Sequence, residues 1–131
     1  MKSILIHEGE GRTRVSLNTH WIGEDLIVYI FNKFAHIGAV AVSDYCDKED
    51  RASTSVITRF GHKEDSIASN TAHIICKALK RPVCAIAGIH LENITGDEIA
   101  QIIQNCNQLA TACIFQLEIN SNHQALNRES S

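Results

Sequence analysis

The sequence predicts an α/β domain in which two main helices pack on a single mixed sheet. Residues 12–22 alternate between apolar and polar side chains, and residues 26–31 form a continuous apolar run, a pattern typical of an antiparallel hairpin. Farther along the chain, a strand-like segment is followed by a helix-like segment, and this unit occurs twice. Antiparallel pairing at the start and strand–helix–strand–helix order afterwards together indicate one mixed sheet.

The first half of the chain supplies the antiparallel strands. A short apolar run over residues 3–7 predicts an edge strand, and the hairpin of residues 12–22 and 26–31 follows it. Residues 36–43 form another apolar strand, which a charged turn joins to a central strand over residues 52–60. The β-branched residues of this central segment favour a pleated strand.

Two helices are predicted in the second half. Residues 64–79 place their apolar side chains on one face at a 3.6-residue period, and Pro82 ends this helix before a short buried strand over residues 83–87. The second helix begins with the capping box Thr95-Gly-Asp-Glu98. Residues 114–119 are expected to form a last strand or an extended arm.

The length of 131 residues predicts a single domain. We expect this domain to occupy residues 1–119, followed by a polar tail over residues 120–131 that is disordered. The apolar segment at the end of the domain is compatible with a homodimer.

Composition excludes several classes of function. The net charge of −3 gives no basic field of the kind that nucleic-acid binding requires. The apolar runs are too short to span a membrane, and the early charges Lys2 and Glu8 predict that no signal peptide is present. The five cysteines include no CxxC pair, which favours buried, reduced thiols and a cytoplasmic protein.

Three histidines are expected to meet at one edge of the sheet. If the strands on either side of the first helix run parallel, their carboxyl ends lie at the same edge, and these ends carry His62 and His90. The preceding strand runs antiparallel to the central one, so His36 at its beginning falls at that edge as well. Ligands of α/β sheets bind outside the carboxyl ends of strands, so the sequence predicts a ligand site here.

An anion site is predicted where the central strand joins the first helix. Gly61 breaks the strand, and the helix start that follows exposes backbone N–H groups. Lys63 adds a positive charge, and three hydroxyl groups stand on the strand itself: Ser53, Thr54 and Ser55. Each group also has a purely structural explanation. The histidines and the lysine can be turn residues that face water, the glycine can simply end a strand, and the hydroxyl groups can form the polar face of a strand.

Other chemistry has weaker support in the spacing of the residues. Three neutral imidazoles with a carboxylate form a common metal site, but no local HxH or HxxxH pair is present. There is no GxSxG nucleophile elbow, and the cysteines are expected to be buried. We therefore predict no catalytic and no metal-binding residues.

Four segments around this edge resemble the motifs of the prenylated-flavin chaperone family, whose namesake is the small D subunit associated with bacterial gallate decarboxylase. They are His36-Ile-Gly-Ala-Val-Ala41, Ala52-Ser-Thr-Ser-Val-Ile-Thr58, Gly61-His-Lys-Glu-Asp65 and Gly88-Ile-His-Leu-Glu-Asn-Ile-Thr95. The blocks follow the family's order and spacing over residues 12–112, although Leu91 and Glu92 replace the family's usual Trp and Asp. The wider fold resembles small proteasome-assembly-chaperone domains, which are α/β and usually dimerise.

The resemblance implies a non-catalytic, homodimeric partner of UbiD-type decarboxylases, which use prenylated FMN made by a UbiX-type prenyltransferase. Such a protein binds the reduced, oxygen-sensitive cofactor (or FMN) and supports its delivery or oxidative maturation. The helix start at residues 61–65 then suits the ribityl phosphate, and the histidines suit the flavin ring. The cofactor-binding residues implied are His36, Ser53, Thr54, Ser55, Gly61, His62, Lys63, Asp65, His90 and Asn93.

Two other functions stay open at this stage. The first is a small enzyme that uses the histidine cluster for acid–base chemistry or for a bound metal, which metal analysis and a pH–rate profile would reveal. The second is an assembly chaperone without a ligand, which predicts a colourless protein with no flavin affinity.

Overall fold

The computed structural model describes residues 2–59 and 64–129, with side chains as far as residue 122. This part of the chain forms one mixed sheet of six strands and two α-helices that pack on it, which confirms the predicted α/β class. The strands are β1 (Leu5–Glu8), β2 (Val15–Ile22), β3 (Asp25–Phe31), β4 (Ala39–Cys46), β5 (Arg51–Thr58) and β6 (Val83–Gly88). The helices are α1 (Asp65–Leu79) and α2 (Gly96–Glu129), and a short 3-10 helix, Gly11–Thr13, precedes β2.

The strand order is β1-β2-β3-β6-β4-β5. Strands β1, β2 and β3 form an antiparallel meander, and β4 and β5 form an antiparallel hairpin. Strand β6 lies between them, parallel to β3 and antiparallel to β4. Strands β5 and β6 therefore run parallel with β4 between them, and α1 makes the crossover that the sequence predicts.

Both helices cover the same face of the sheet, and the core lies between this face and the helices. Val15, Leu17 and Thr19 of β2 are buried there, as the alternation predicts, and they share this core with Ile75 of α1 and Leu109 of α2. The opposite face is not covered by a helix in the part of the chain that the structure describes. Apolar side chains stand exposed on it, because a strand presents every second residue to each face.

Several predicted boundaries differ from the structure, and among them β2 begins at Val15 rather than at residue 12, because a 3-10 helix precedes it. Strand β4 begins at Ala39 rather than at residue 36, so His36 precedes it in a loop, and β5 ends at Thr58. The expected strand or arm over residues 114–119 is wrong, since α2 runs through it. Leu109, Cys113 and Leu117 continue the buried stripe at a spacing of four residues, which overrides the strand preference of the neighbouring residues.

Helix α2 continues through the polar tail as far as Glu129, and the division of the chain at residue 119 stays a prediction. All five cysteines are unbridged. Three of them are buried, whereas Cys46 is exposed, contrary to the expectation that every thiol is buried. Burial raises the pKa of both Cys106 and Cys113 to about 12, which makes them inert thiols.

Candidate functional site

Four strands bring their loops to one edge of the sheet. Ala39, the first residue of β4, pairs with Thr58 at the end of β5 and with Ala87 near the end of β6. Phe31, the last residue of β3, pairs with Gly88, the last residue of β6. We call the place where these residues meet the carboxyl edge, and its existence confirms the convergence inferred from strand order.

Two of the three predicted histidines meet at the carboxyl edge. The ring centroids of His36 and His90 lie 5.7 Å apart, with the ring planes tilted by 37°. Both residues are exposed, and His90 Nε2 forms a hydrogen bond with Glu92 Oε1 (3.0 Å). His62 lies outside the described residues, as do Gly61 and Lys63.

Gly88 allows the two histidine loops to approach each other. A Cβ at residue 88 would overlap the backbone carbonyl oxygen of His36, so the backbone itself would have to move. Glycine is therefore needed at this position. A Cβ at residue 38 would instead overlap the end of the Glu64 side chain, which is flexible. The Gly38 N–H donates to the carbonyl oxygen of Ala87 (2.9 Å), which ties the first loop to β6.

Asn32 fixes the backbone that carries His90. Asn32 Nδ2 donates to the His90 carbonyl oxygen (2.7 Å), and the His90 N–H donates to Asn32 Oδ1 (3.1 Å). This pair of hydrogen bonds joins the end of β3 to the loop after β6. The backbone that carries the His90 imidazole is therefore held by the side chain of the residue that follows β3.

The loop over residues 89–95 is also held from the other side. Arg12 donates from Nε to Glu98 Oε2 (2.7 Å) and from Nη2 to the carbonyl oxygen of Glu92 (2.7 Å). Thr95 and Glu98 exchange the reciprocal hydrogen bonds of the predicted capping box, each of 3.1 Å. The hydrogen bonds from Arg12 and the Thr95 N–H lower the pKa of Glu98 to about 2, so its carboxylate stays ionised.

A pocket of about 550 Å³ opens beside His90 on the helix-covered side of the sheet. We call it the isoleucine pocket, because Ile67 of α1, Ile89 and Ile94 of the loop, and Ile102 of α2 line it together with Leu91. Glu64, Ser66 and His90 are the polar residues that line it. An apolar slot with a few polar groups is the usual form of a small-molecule site.

A second pocket, of about 900 Å³, opens on the other side of the same loop. We call it the cationic pocket, because Arg12, Arg14 and Lys33 line it along with the aromatic rings of Phe31 and Phe34. His90 and Leu91 line both pockets, so the two share a wall.

The structure does not bring the three predicted hydroxyl residues to this edge. Ser53, Thr54 and Ser55 precede the end of β5 at Thr58, which at about 3.3 Å per residue places them roughly 10–17 Å away. Thr54 Oγ1 instead forms hydrogen bonds with Ser43 Oγ (2.6 Å) and His73 Nδ1 (2.9 Å) under α1.

Two further predicted residues lie at the rim of the carboxyl edge. Asp65 is exposed and is the first residue of α1. Asn93 is exposed in the turn between His90 and α2, and its φ of 51° is in the left-handed region that asparagine tolerates.

The sequence reasoning missed Asn32, Arg14, Lys33 and the two phenylalanines of the cationic pocket. It paired β3 only with β2, so the residues after β3 were not placed at the carboxyl edge. The available signal was the segment Asn32-Lys33-Phe34, which follows a buried apolar strand just as the histidine loops do. A parallel partner for β3 would have put this segment beside His90.

Neither a metal nor a membrane is indicated by the described residues. The described side chains, those of residues 2–59 and 64–122, include no group of three or more His, Cys, Asp or Glu arranged to hold a metal ion. No helix in the same part of the chain is long and apolar enough to cross a membrane.

The fold is shared with an assembly chaperone of known structure. A chain from the crystal structure of a novel chaperone complex for yeast 20S proteasome assembly superposes with a TM-score of 0.59. The alignment covers 90% of this chain and 95% of that one, at 13% sequence identity. The protein therefore has a proteasome-assembly-chaperone-like fold.

The family follows from the sequence itself. The profile of the prenylated flavin chaperone LpdD-like domain matches residues 9–118, which include five of the six strands, the isoleucine pocket and all of the cationic pocket except His7. The chain therefore belongs to the prenylated flavin chaperone LpdD-like family, as its motifs predict. No curated protein matches the sequence.

Proposed function

We propose that the protein binds prenylated FMN, or FMN, at the carboxyl edge and supports the delivery or oxidative maturation of this cofactor for a UbiD-type decarboxylase. In this role it is an accessory protein and does not catalyse the decarboxylation. The observation that carries the proposal is a ligand-sized pocket walled by His90, beside the ring of His36, in a chain of the prenylated flavin chaperone family.

The isoleucine pocket fits the flat ring system of a flavin. Its volume of about 550 Å³ lies within the range of small-molecule sites, roughly 300–1,000 Å³. Its isoleucine and leucine side chains offer the apolar contact that a prenylated ring requires. When bound, prenylated FMN carries the chemistry that the decarboxylase later uses, and the pocket shields it from water.

The two histidines supply the polar contacts in this proposal. An imidazole offers one donor and one acceptor when neutral, which matches the carbonyl oxygens and nitrogens of a flavin ring. Asn32 and Gly88 hold the two histidine loops before any ligand arrives. A preformed pair of this kind costs little ordering on binding.

The proposal also includes the other residues predicted from the sequence, which lie at different distances from His36 and His90. Gly61, His62 and Lys63 precede α1, whose first residue is Asp65, and Asn93 lies in the turn three residues after His90. Ser53, Thr54 and Ser55 stand farthest from the histidine rings along β5 and are expected to contribute least.

The proposed partners are a UbiD-type decarboxylase, which receives the cofactor, and a UbiX-type prenyltransferase, which makes it. We propose a cytoplasmic location, because a reduced, oxygen-sensitive cofactor and these partners favour it. We also propose that it is a homodimer, paired through the uncovered face of the sheet, where Val42 is 52% exposed and Ile57 is 76% exposed.

Anaerobic titration with reduced prenylated FMN tests the proposed function, with spectra recorded before and after air is admitted. We expect stoichiometric binding and an oxidation spectrum that differs from that of the free cofactor. His90→Ala should weaken binding by about tenfold, in line with loss of one hydrogen bond. His20→Ala is the matched control, because this exposed histidine lies on β2 near the opposite edge.

An assembly chaperone without a ligand is the second candidate, favoured by the shared fold and by the apolar residues on the uncovered sheet face. It predicts no binding of prenylated FMN or FMN in the same titration, together with a stable complex with a larger protein. If the protein binds flavin but His90→Ala does not weaken this binding, the protein is still a flavin-binding protein. The proposed position of the flavin at the carboxyl edge is then contradicted.

A further inference from the structure

We propose that the cationic pocket holds the phosphate group of the flavin, with Arg14 and Lys33 as its ligands. This inference rests on the proposed function and adds the orientation of the cofactor. It places the ring in the isoleucine pocket and the phosphate on the other side of the loop that carries His90 and Leu91.

The charge of the cationic pocket is opposite to that of the whole chain. The net charge of the protein is −3, yet three cationic side chains and only one carboxylate, Glu92, line this pocket. A local positive field in an acidic protein indicates an anionic ligand, because the surplus charge repels itself when the pocket holds only water.

The three cations are not equivalent. Arg12 is already engaged with Glu98 and with the carbonyl oxygen of Glu92. Arg14 and Lys33, in contrast, form no ion pair with any carboxylate among the described side chains of residues 2–59 and 64–122. Lys33 Nζ lies 5.5 Å from the centroid of the Phe34 ring, a contact that leaves its N–H donors available.

The paired ends of β2 and β3 bring these two residues to the same pocket. Ser16 of β2 pairs with Phe31, the last residue of β3, and Arg14 and Lys33 lie just beyond these strand ends, before β2 and after β3. Both are exposed and line the same pocket. A guanidinium and an ammonium that line one pocket can donate charge-assisted hydrogen bonds to separate oxygens of one phosphate.

The start of α1, which the sequence favours for the phosphate, carries the wrong charge in its described part. Glu64 and Asp65 stand there, and the Glu64 carboxylate lies against Gly38 and lines the isoleucine pocket. Two carboxylates repel a phosphate dianion more than the helix start attracts it. The phosphate is therefore placed at the opposite end of the ligand, in the cationic pocket.

The test compares FMN with riboflavin, which lacks the phosphate, as reduced ligands under anaerobic conditions. We expect wild-type protein to bind FMN at least about tenfold more tightly than riboflavin, and to lose this preference as salt is added. The double variant Arg14→Ala/Lys33→Ala should bind riboflavin as wild type does but FMN only as weakly as riboflavin. Lys48→Ala/Arg51→Ala removes the same charge from the exposed β4–β5 turn and should keep the preference.

The outcomes separate this inference from the proposed function. If Arg14→Ala/Lys33→Ala keeps the full preference for FMN over riboflavin, the phosphate site in the cationic pocket is overturned. If Lys63→Ala alone loses this preference, the phosphate binds at the start of α1 instead. Equal wild-type affinity for the two flavins also overturns the inference while the proposed function stands. If wild-type protein binds neither of these flavins nor prenylated FMN, both the inference and the proposed function are overturned.

Discussion

Gly88 sets the distance between the two histidine loops. Its missing side chain leaves room for the carbonyl oxygen of His36, and the rings of His36 and His90 can therefore lie 5.7 Å apart. The sequence predicts the meeting of these histidines from strand order alone. It does not predict the role of Gly88, because a glycine at the end of a strand is equally consistent with a simple turn.

Gly88→Ala should separate the histidine loops without unfolding the protein. The added methyl group must displace the His36 backbone, which we expect to lower the free energy of unfolding by about 1–3 kcal/mol. Flavin affinity should fall as well, since the rings move apart. Urea denaturation and flavin titration measure the two effects.

Gly96→Ala is the matched control for this substitution. A Cβ at residue 96 meets no atom within 4 Å, and the residue begins α2. We expect the free energy of unfolding to stay the same or to rise by up to about 1 kcal/mol, because alanine favours a helix. Equal behaviour of the two variants would contradict the close packing at Gly88.

The start of α2 is the element that holds the His90 loop in place. Thr95 and Glu98 form the capping box that the sequence predicts, since its pattern is local and needs no knowledge of the fold. The ion pair that Arg12 adds to Glu98 joins residues far apart in the sequence, at 2.7 Å. Only the packing of α2 beside the turn before β2 reveals it.

The ion pair should make the stability of the protein depend on pH in the acid range. The hydrogen bonds from Arg12 and the Thr95 N–H lower the pKa of Glu98 from 4.5 to about 2. A lowered carboxyl pKa stabilises the folded state above the unfolded pKa, and this contribution is lost as the pH falls towards the folded value. Glu98→Gln should therefore lower the urea midpoint at about pH 5.5 and approach the wild-type midpoint at about pH 2.5.

Glu118→Gln serves as the control in the same pH series. It is an exposed glutamate on the same helix, and we expect it to keep the wild-type midpoint at both pH values. If Glu98→Gln showed the same difference from wild type at both pH values, the ion pair with Arg12 would not hold the loop.

The length of α2 illustrates why the last element was predicted wrongly. Ile114, Phe115 and Ile119 favour a strand when taken alone, but Phe115 and Ile119 are exposed on the outer side of the helix. The buried residues Cys113 and Leu117 decide the structure, because they pack against the sheet. Local preference yields to tertiary burial here, and sequence alone does not show which face has a partner.

The whole molecule has one helix-covered face and one uncovered face. Six strands spaced about 4.8 Å apart and about seven residues long give the uncovered face a projected area of roughly 600 Å². This approaches the roughly 800 Å² per partner of a standard protein interface. A pairing of two such faces would bury the apolar residues exposed there.

Val42→Asp should convert the proposed homodimer into a folded monomer. Val42 lies on the uncovered face of β4, between β6 and the edge strand β5, and is 52% exposed, so the substitution leaves the core intact while adding charge to the interface. Phe115→Asp is the control, because this residue is 63% exposed on α2, on the other side of the molecule. Sedimentation analysis that finds a Val42→Asp dimer, or a wild-type monomer, would contradict the proposed interface.

The overall topology was more predictable than the site. Alternation, helical period and the right-handed crossover together determine which strands are parallel, and these rules brought His36 and His90 to one edge. The pairing of β3 with β6 follows no local pattern, so Asn32, Arg14 and Lys33 were missed. The cationic pocket depends on that single non-local pairing.

The flavin content of protein purified without oxygen tests the central claim most directly. The chain should be produced together with a UbiX-type prenyltransferase, and the bound cofactor measured by absorbance and by mass spectrometry of the intact complex. We predict one prenylated FMN per chain in wild-type protein, and a much lower content in His90→Ala than in His20→Ala. Colourless wild-type protein without bound flavin, or equal flavin content in the two variants, would contradict a cofactor site at the carboxyl edge.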